Sequence, residues 1–379
     1  MPTTAAHPIQ LGLNAFGDVP VDGDGRLVSD AEAVRVMVEE AVRAERVGLD
    51  VFSIGEHYRP EQVDSASTVA LGAIAGRTER IRVGTAVAVL STQDPVRLYH
   101  QFATLDAASS GRASLVLGRA SSTESFPLFG FSMEDYDQLF EENLELFLAL
   151  LDGGAVTWSG LSRPALEGYR PRPRLAPGSA APWIGIGGSP QSVLRAARHG
   201  LPLMMAVIGG AIERFAGHSQ YYRDASAQLG HEPGPIGLHS IGHIAATDAE
   251  AVDTFWPVYR DRMATMARER GFPRPDRAHY LAEVEHGALF VGSPETVARK
   301  ILGAAETLGL SRFDMKYDTY GTSVRDRAQT VELLGAAVGP LLVDARAPVA
   351  AGAPAPDRVA DPRDGLDAVS RHRRAHGTR

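Results

Sequence analysis

A (β/α)8 barrel of the TIM type is the fold class this sequence predicts, and three observations predict it. Short apolar runs alternate with helical patterns from the first residues onward. Eight such strand-then-helix units can be drawn, and parallel strands with helical crossovers at that number favour a closed barrel over an open doubly wound sheet. The length, 379 residues, exceeds what one ordinary core needs, and barrels are the standing exception to that rule.

The elements follow in order. "IQLGLNAF" is the first strand candidate. Ser29-Asp30-Ala31-Glu32 is a capping box opening a helix with Val34, Met37, Val38 and Ala41 on one face, and Gly48 supplies its stop. "LDVFSIG" is the second strand and "STVALGAIAGRT" the second helix. "RIRVGTAVAVL" is the third strand, with a helix over "PVRLYHQFATLDAAS". "RASLVLG" is the fourth, and Ser132 with Asp135 caps a long helix bearing Leu139, Phe140, Leu144, Phe147 and Leu151. A Pro/Gly-rich loop, "SGLSRPALEGYRPRPRLAPGSAAP", precedes the fifth strand, "WIGIG". "LPLMMAVI", "IGLHSIGHIAA" and "RFDMKYD" complete the eight. The segment from Thr247 to Pro294 carries its own helix and reads as an insertion before the last unit. Residues 1–343 are expected to form the barrel, and the Ala/Pro/Arg-rich residues 344–379 a disordered tail.

Composition excludes several chemistries. The formal charge of -8, with both signs interspersed, argues against a nucleic-acid surface. Without cysteine there is no disulfide, zinc-thiolate site, iron-sulfur cluster or thiol nucleophile. The opening "MPTTAAHPIQLGLN" has neither a basic nor an apolar signal region, and no apolar run approaches the ~18 residues of a membrane span. The expected location is the cytoplasm. Lysine occurs only at Lys300 and Lys316, so Schiff-base chemistry would rest on one of these two.

Two segments carry site chemistry. In "IGIGGSPQSVLRAARHGL" a strand and a glycine pair lead to Ser189 and Pro190 at a helix start. Open amides there form a phosphate cradle, with Gly187, Gly188, Ser189 and Ser192 as its residues. The later "VGSPETVARKI" has the same outline, but Glu295 in its first turn repels an anion. In "LVLGRASSTESFPLFGF" Arg119 follows the fourth strand and is trailed by Ser121, Ser122 and Thr123, a guanidinium with hydroxyls suited to phosphate. Both segments follow barrel strands, which puts them on the face where barrel chemistry resides. The same rule moves Glu56 and His57, at the end of "VFSIGEHYRP", to that face. "GIGGSP" has proline where a dinucleotide loop needs its last glycine. His239 and His243 share a strand face, yet no nearby carboxylate completes a ligand set, so pocket lining or packing is expected rather than a metal. Phe126, Leu128, Phe129, Phe131, Met204, Met205 and Ile208 point to an apolar pocket.

The ordered set "GEHYRP", "DPVR" (Asp94 to Arg97), "GRASSTESFPLFG" and "GGSPQS", with "FVGSPETVARKI" and "VELLGAAVGPLL" later, resembles the bacterial-luciferase-like flavin-dependent monooxygenases. The resemblance runs from about residue 10 to 343 and implies FMN, held by its phosphate with its ring across the C-terminal mouth of the barrel. Carried over by position, Arg119, Ser121, Gly187, Gly188, Ser189 and Ser192 hold the phosphate. Ala86 and Val87 match the place where the family bends strand three beneath the ring, and Asn14 lies near ring or substrate. His57 matches the histidine beside the flavin's reactive edge, a general acid/base near its working pH, with Glu56 orienting it or holding the strand end. The implied reaction takes FMNH2 from a separate flavin reductase and O2, and oxygenates a small organic substrate through a C4a-peroxyflavin; a homodimer is usual. Two departures stand out: Tyr58 replaces a histidine common in this branch, and Lys316 is unusual on strand eight and a candidate substrate contact. Two alternatives remain open, F420-dependent hydride transfer on the same barrel and a flavin-binding protein without turnover.

Overall fold

The apolar runs become strands where their residue types dictate. In the computed structural model, which describes residues 9–120, 123–176, 178–271 and 275–346, the barrel strands are β1 (Gln10–Ala15), β2 (Val51–Ile54), β3 (Arg82–Val89), β4 (Ala113–Gly118), β5 (Trp183–Ile186), β6 (Leu203–Ala206), β7 (Ile236–Ile244) and β8 (Arg312–Lys316). Each pairs in parallel with the next. β8 returns to β1 with Gln10 opposite Arg312, so the ring is closed. Helices cover the outside, which is why β2, β4 and β8 are buried at every position instead of alternating.

Local chemistry sets the helix starts. Ser29 Oγ accepts from the Glu32 amide at 3.3 Å, and Ala33, Met37, Val38, Ala41 and Ala44 form the buried face of Asp30–Arg46. Only half of the expected capping box forms, because Glu32 turns to Arg35. The "DPVR" stretch is itself a cap: Asp94 Oδ1 accepts from the Arg97 amide at 2.9 Å, and Pro95 occupies the first position of the helix Pro95–Ala108.

The N-terminal end of the barrel interior is plugged by charge. Arg312 and Asp314, 2% and 0% exposed, form a forked pair with Nε–Oδ1 at 2.8 Å and Nη2–Oδ2 at 2.6 Å. The guanidinium also donates to Ser53 and Ser114 Oγ at 3.3 Å and lies 5.4 Å from the Trp183 ring centre. Gly12 leaves room for the Asp314 carboxylate.

Three features differ from the sequence expectation. The Pro/Gly-rich stretch is not all loop: Leu166–Tyr169 pairs antiparallel with Val156–Trp158 in a hairpin. The insertion is larger than one helix. Asp248–Arg270 is followed by a second helix, Arg277–Glu285, and by Phe290–Gly292, a short strand on the end of β7, over a small apolar cluster centred on Phe255, Tyr259 and Tyr280. The last helix, Gly339–Arg346, runs past residue 344. The remainder of the expected tail lies outside the described residues.

Candidate active site

The C-terminal halves of β1 to β7 open into one cavity of about 460 Å³. Asn14, Glu56, His57, Ala86, Val87, Arg119, Gly187, Ser189 and Ser192 all line it, although they come from five separate strand ends. Gly188 does not. It turns the loop at φ 109°, and its carbonyl accepts from His218 Nε2 at 2.8 Å. Ser121 lies outside the described residues.

The two anion segments meet. Arg119 Nη2 donates to Ser192 Oγ at 3.0 Å, while Nη1 pairs with Asp137 and the guanidinium lies 4.9 Å from the centre of the Tyr136 ring. Arg195, buried behind Ser192, reaches the same hydroxyl at 3.3 Å and is neutralised by Glu141. Ser189 opens the helix Pro190–Arg198, but its hydroxyl bonds Gln191 and makes no cap. By contrast, Ser293 does cap Pro294–Leu308, taking the Thr296 amide. Both helices commit the same amide, that of Ser192 to the Ser189 carbonyl at 3.0 Å and that of Thr296 to the Ser293 hydroxyl. What sets the first apart as an anion site is the Arg119 guanidinium and a first turn without the acidic residue that Glu295 puts in the second. Ala120, beside Arg119, holds φ 90°, a region L side chains avoid, and such outliers gather at ligand sites.

His57 is oriented by a residue the sequence did not single out. Its Nδ1 meets Asp64 Oδ2 at 2.7 Å, and its backbone amide donates to Asp64 Oδ1 at 3.2 Å. Burial pushes the Asp64 carboxyl up to about 6. Glu56 is not the orienting group. It accepts from Tyr58 Oη at 2.6 Å, from the Val89 amide at 2.8 Å and from Gln93, tying the end of β2 to that of β3, and burial raises its pKa. Asp64 lies in a loop without period, where Glu61 is an equally plain acidic residue, so no pattern in the sequence marks it.

Beneath the cavity, β3 shifts register between Ala86 and Ala88, and the Ala86–Val87 peptide is cis. Val87 fits because two neighbouring strands carry glycine. A Cβ on Gly118 would lie 2.6 Å from Val87 Cγ2, and one on Gly185 2.8 Å from Cγ1. Gly118→Ala is therefore expected to lower stability by about 1–3 kcal/mol, read from urea unfolding. Gly187→Ala, with nothing near its Cβ, should stay within about 0.5 kcal/mol of the parent protein. Equal effects at both positions would show that Val87 is not tightly held.

Asn14 Nδ2 bonds Ala86 O at 2.7 Å and meets His239 Nδ1 at 3.2 Å. His239 lines the cavity, and burial, helped by nearby Lys316, drives its imidazole down to about 3. His243 does not join it: it stacks on Phe255 at 5.4 Å and meets Thr330. Lys316 is no substrate contact. Its Nζ is buried between Asp18 at 2.7 Å and Asp318 at 3.0 Å. Burial opposes the Asp18 charge, but Lys316 together with Arg262 and Arg327 outweighs it and holds that carboxyl low. Of the apolar residues expected to form the pocket, Met204 and Ile208 line it. Phe126 packs on Tyr136 at 5.5 Å, Met205 is buried in the main core, and Leu128 and Phe129 are 59% and 47% exposed.

Residues 16–312 match the sequence profile of the luciferase-like monooxygenases. The chain belongs to this family. Among curated members, the alkanal monooxygenase alpha chain of Photobacterium leiognathi is 26% identical over 219 residues, covering 57% of this chain and 59% of that one. The first curated relative is matched over 44% of its own length, so the chain spans roughly half of these proteins. The oxygenating constituent of 3,6-diketocamphane monooxygenase from Pseudomonas putida, a structure in complex with FMN, shares the fold at TM-score 0.69 and 20% identity, over 88% of this chain and 98% of that one. The coenzyme F420-dependent tetrahydromethanopterin reductase of Methanopyrus kandleri does so at TM-score 0.66 and 17% identity, over 88% and 99%. Luciferase-like monooxygenases therefore share this barrel with F420 enzymes. Among the described residues, no helix is long and apolar enough to cross a membrane.

Proposed function

We propose that this luciferase-like protein is an FMN-dependent monooxygenase that receives reduced FMN from a separate flavin reductase and oxygenates a small organic substrate. The observation that carries the reading is the 3.0 Å contact between Arg119 and Ser192, which joins a guanidinium to an uncapped helix start in the same cavity as His57. The cavity's volume, about 460 Å³, lies in the range of pockets that bury small-molecule ligands. Arg119, Ser192, Ser189 and the amides around Gly187 and Gly188 suit a phosphate; Ser121 joins them by family position. Ala86, Val87 and Asn14 form the surface on which a flavin ring is to lie. When bound, reduced FMN supplies the two electrons with which O2 yields one oxygen atom to substrate and one to water.

The chain's own part is proton handling and placement. Asp64 fixes His57 through Nδ1 and leaves Nε2 to exchange a proton with the reacting group. Glu56 acts by position, holding two strand ends that frame the cavity. The apolar wall formed by buried Met204 and Ile186 with partly buried Val87 excludes water from part of the site. A pair of such chains in a homodimer, working in the cytoplasm, fits this reading.

F420 also presents a phosphate, and the structural likeness to an F420-dependent reductase supports a second reading, hydride transfer without oxygen. Titration of the purified chain with FMN and with F420 separates the two. FMN is expected to bind, and Arg119→Ala to weaken it by about 1.5–3 kcal/mol, the loss of a charged hydrogen bond. Loaded with FMNH2 and given ¹⁸O2 with a panel of alkanals and cyclic ketones, the protein should place one labelled atom in a product. Tight F420 binding with no label incorporated would defeat the monooxygenase reading.

A further inference from the structure

In a closed ring of eight strands, β4 and β8 stand opposite each other. A ligand anchored at Arg119 and Ser192, after β4 and β5, therefore extends toward β7, β8 and β1. Asn14 on β1 and His239 on β7 meet there.

Their hydrogen bonds fix a tautomer. The Ala86 carbonyl has only lone pairs to offer, so the Asn14 amide must turn Nδ2 toward it, at 2.7 Å. The same Nδ2 has a second hydrogen for His239 Nδ1, 3.2 Å away. Nδ1 accepts, and the ring proton belongs on Nε2. That Nε2 is buried without a partner among the described residues, on a side chain 4% exposed that lines the cavity. Phe16 stacks on the ring at 5.5 Å and 13°, holding its plane. A buried donor left unmatched is costly, and buried donors in native proteins have partners.

We propose that His239 Nε2–H is the cavity's recognition group for a carbonyl oxygen of the bound ligand, held in that tautomer by Asn14. Burial and the nearby Lys316 ammonium, with His57 also in range, keep the imidazole from charging, so the donor is offered without a cation. The inference rests on the reading of this cavity as the flavin and substrate site. The carbonyl belongs either to the flavin ring or to the substrate, and the two are separable.

The test uses the full chain with ¹⁵N-labelled histidine and FMN carrying ¹³C-labelled ring carbonyls. In the ligand-free protein, NMR is expected to show His239 Nδ1 unprotonated and Nε2 protonated; a protonated Nδ1 overturns the proposal. Two variants then follow, His239→Phe, which keeps the stack on Phe16, and His239→Gln, which keeps a donor and guards against a folding artefact. If the flavin carbonyl is the partner, its infrared stretch is lower in the parent and in His239→Gln than in His239→Phe, and FMN affinity falls roughly tenfold in His239→Phe. If the substrate carbonyl is the partner, FMN binding is unchanged. The stretch of cyclohexanone added to the FMN-loaded protein then carries the shift. No change in either carbonyl, with FMN bound normally, overturns the inference alone. Failure of the parent protein to bind FMN defeats the cofactor reading first and this inference with it.

Discussion

His57→Ala is expected to bind FMN about as tightly as the parent protein and to lose oxygen transfer by about 10²–10⁴-fold, the usual contribution of a positioned acid/base. The side chain is absent from the Arg119–Ser192 cradle, and its polar partner is Asp64 at 2.7 Å. Product formed per flavin oxidised, compared with hydrogen peroxide released, measures the effect. Unchanged product yield would remove His57 from the chemistry. Asp64→Asn should give a smaller loss and alter the acid side of the pH profile. Below about 6, where the Asp64 carboxyl takes a proton, its hold on Nδ1 weakens, so activity should fall there in the parent protein. The stability sign is opposite. Burial raises Asp64 above its unfolded value, so its contribution to stability is present at low pH and is lost as pH rises through about 6. An ionised Asp64 at neutral pH thus costs the fold something, which fits a residue kept for function.

Asp314→Ala is expected to be the most destabilising single change, at about 3–5 kcal/mol, because it strands the Arg312 guanidinium in the barrel interior. That is a large part of the ~5–15 kcal/mol that holds a typical domain together. Ser53 and Ser114 supply only neutral acceptors at 3.3 Å and cannot replace the forked carboxylate. Replacing both members, Arg312→Met with Asp314→Leu, should recover most of the loss, since an apolar pair needs no compensation. Urea unfolding of the three variants decides it. A cost below about 1 kcal/mol for Asp314→Ala would mean water reaches Arg312.

Much of the barrel was legible because its signals are local. A strand covered on both faces shows as a largely apolar run, as "VFSI" in β2 and "LVLG" in β4 do, whereas β8, "RFDMK", buries Arg312, Asp314 and Lys316 among its apolar residues. Helix starts were legible for the same reason, since Ser29, Asp94 and Ser293 bond amides within three residues. The hairpin at Leu166–Tyr169 was hidden because its strands are short and half-exposed, and its pairing is decided by partners outside any periodic window.

The sequence by itself determined the strand-then-helix order, the rule that chemistry lies after the strands, and the residue types of an anion cradle at Arg119, Ser189 and Ser192. Only the tertiary structure decided which side chains face one another. It set Asp64, not Glu56, against His57. It removed Lys316 into a pair of buried aspartates and made His239, read as lining or packing, an unmatched donor in the cavity wall. The physical reason is range. Capping and periodic burial act over a few residues and leave a mark in the chain, whereas barrel closure brings Asn14, Ala86 and His239 together across 225 residues of separation, and no local preference encodes that meeting.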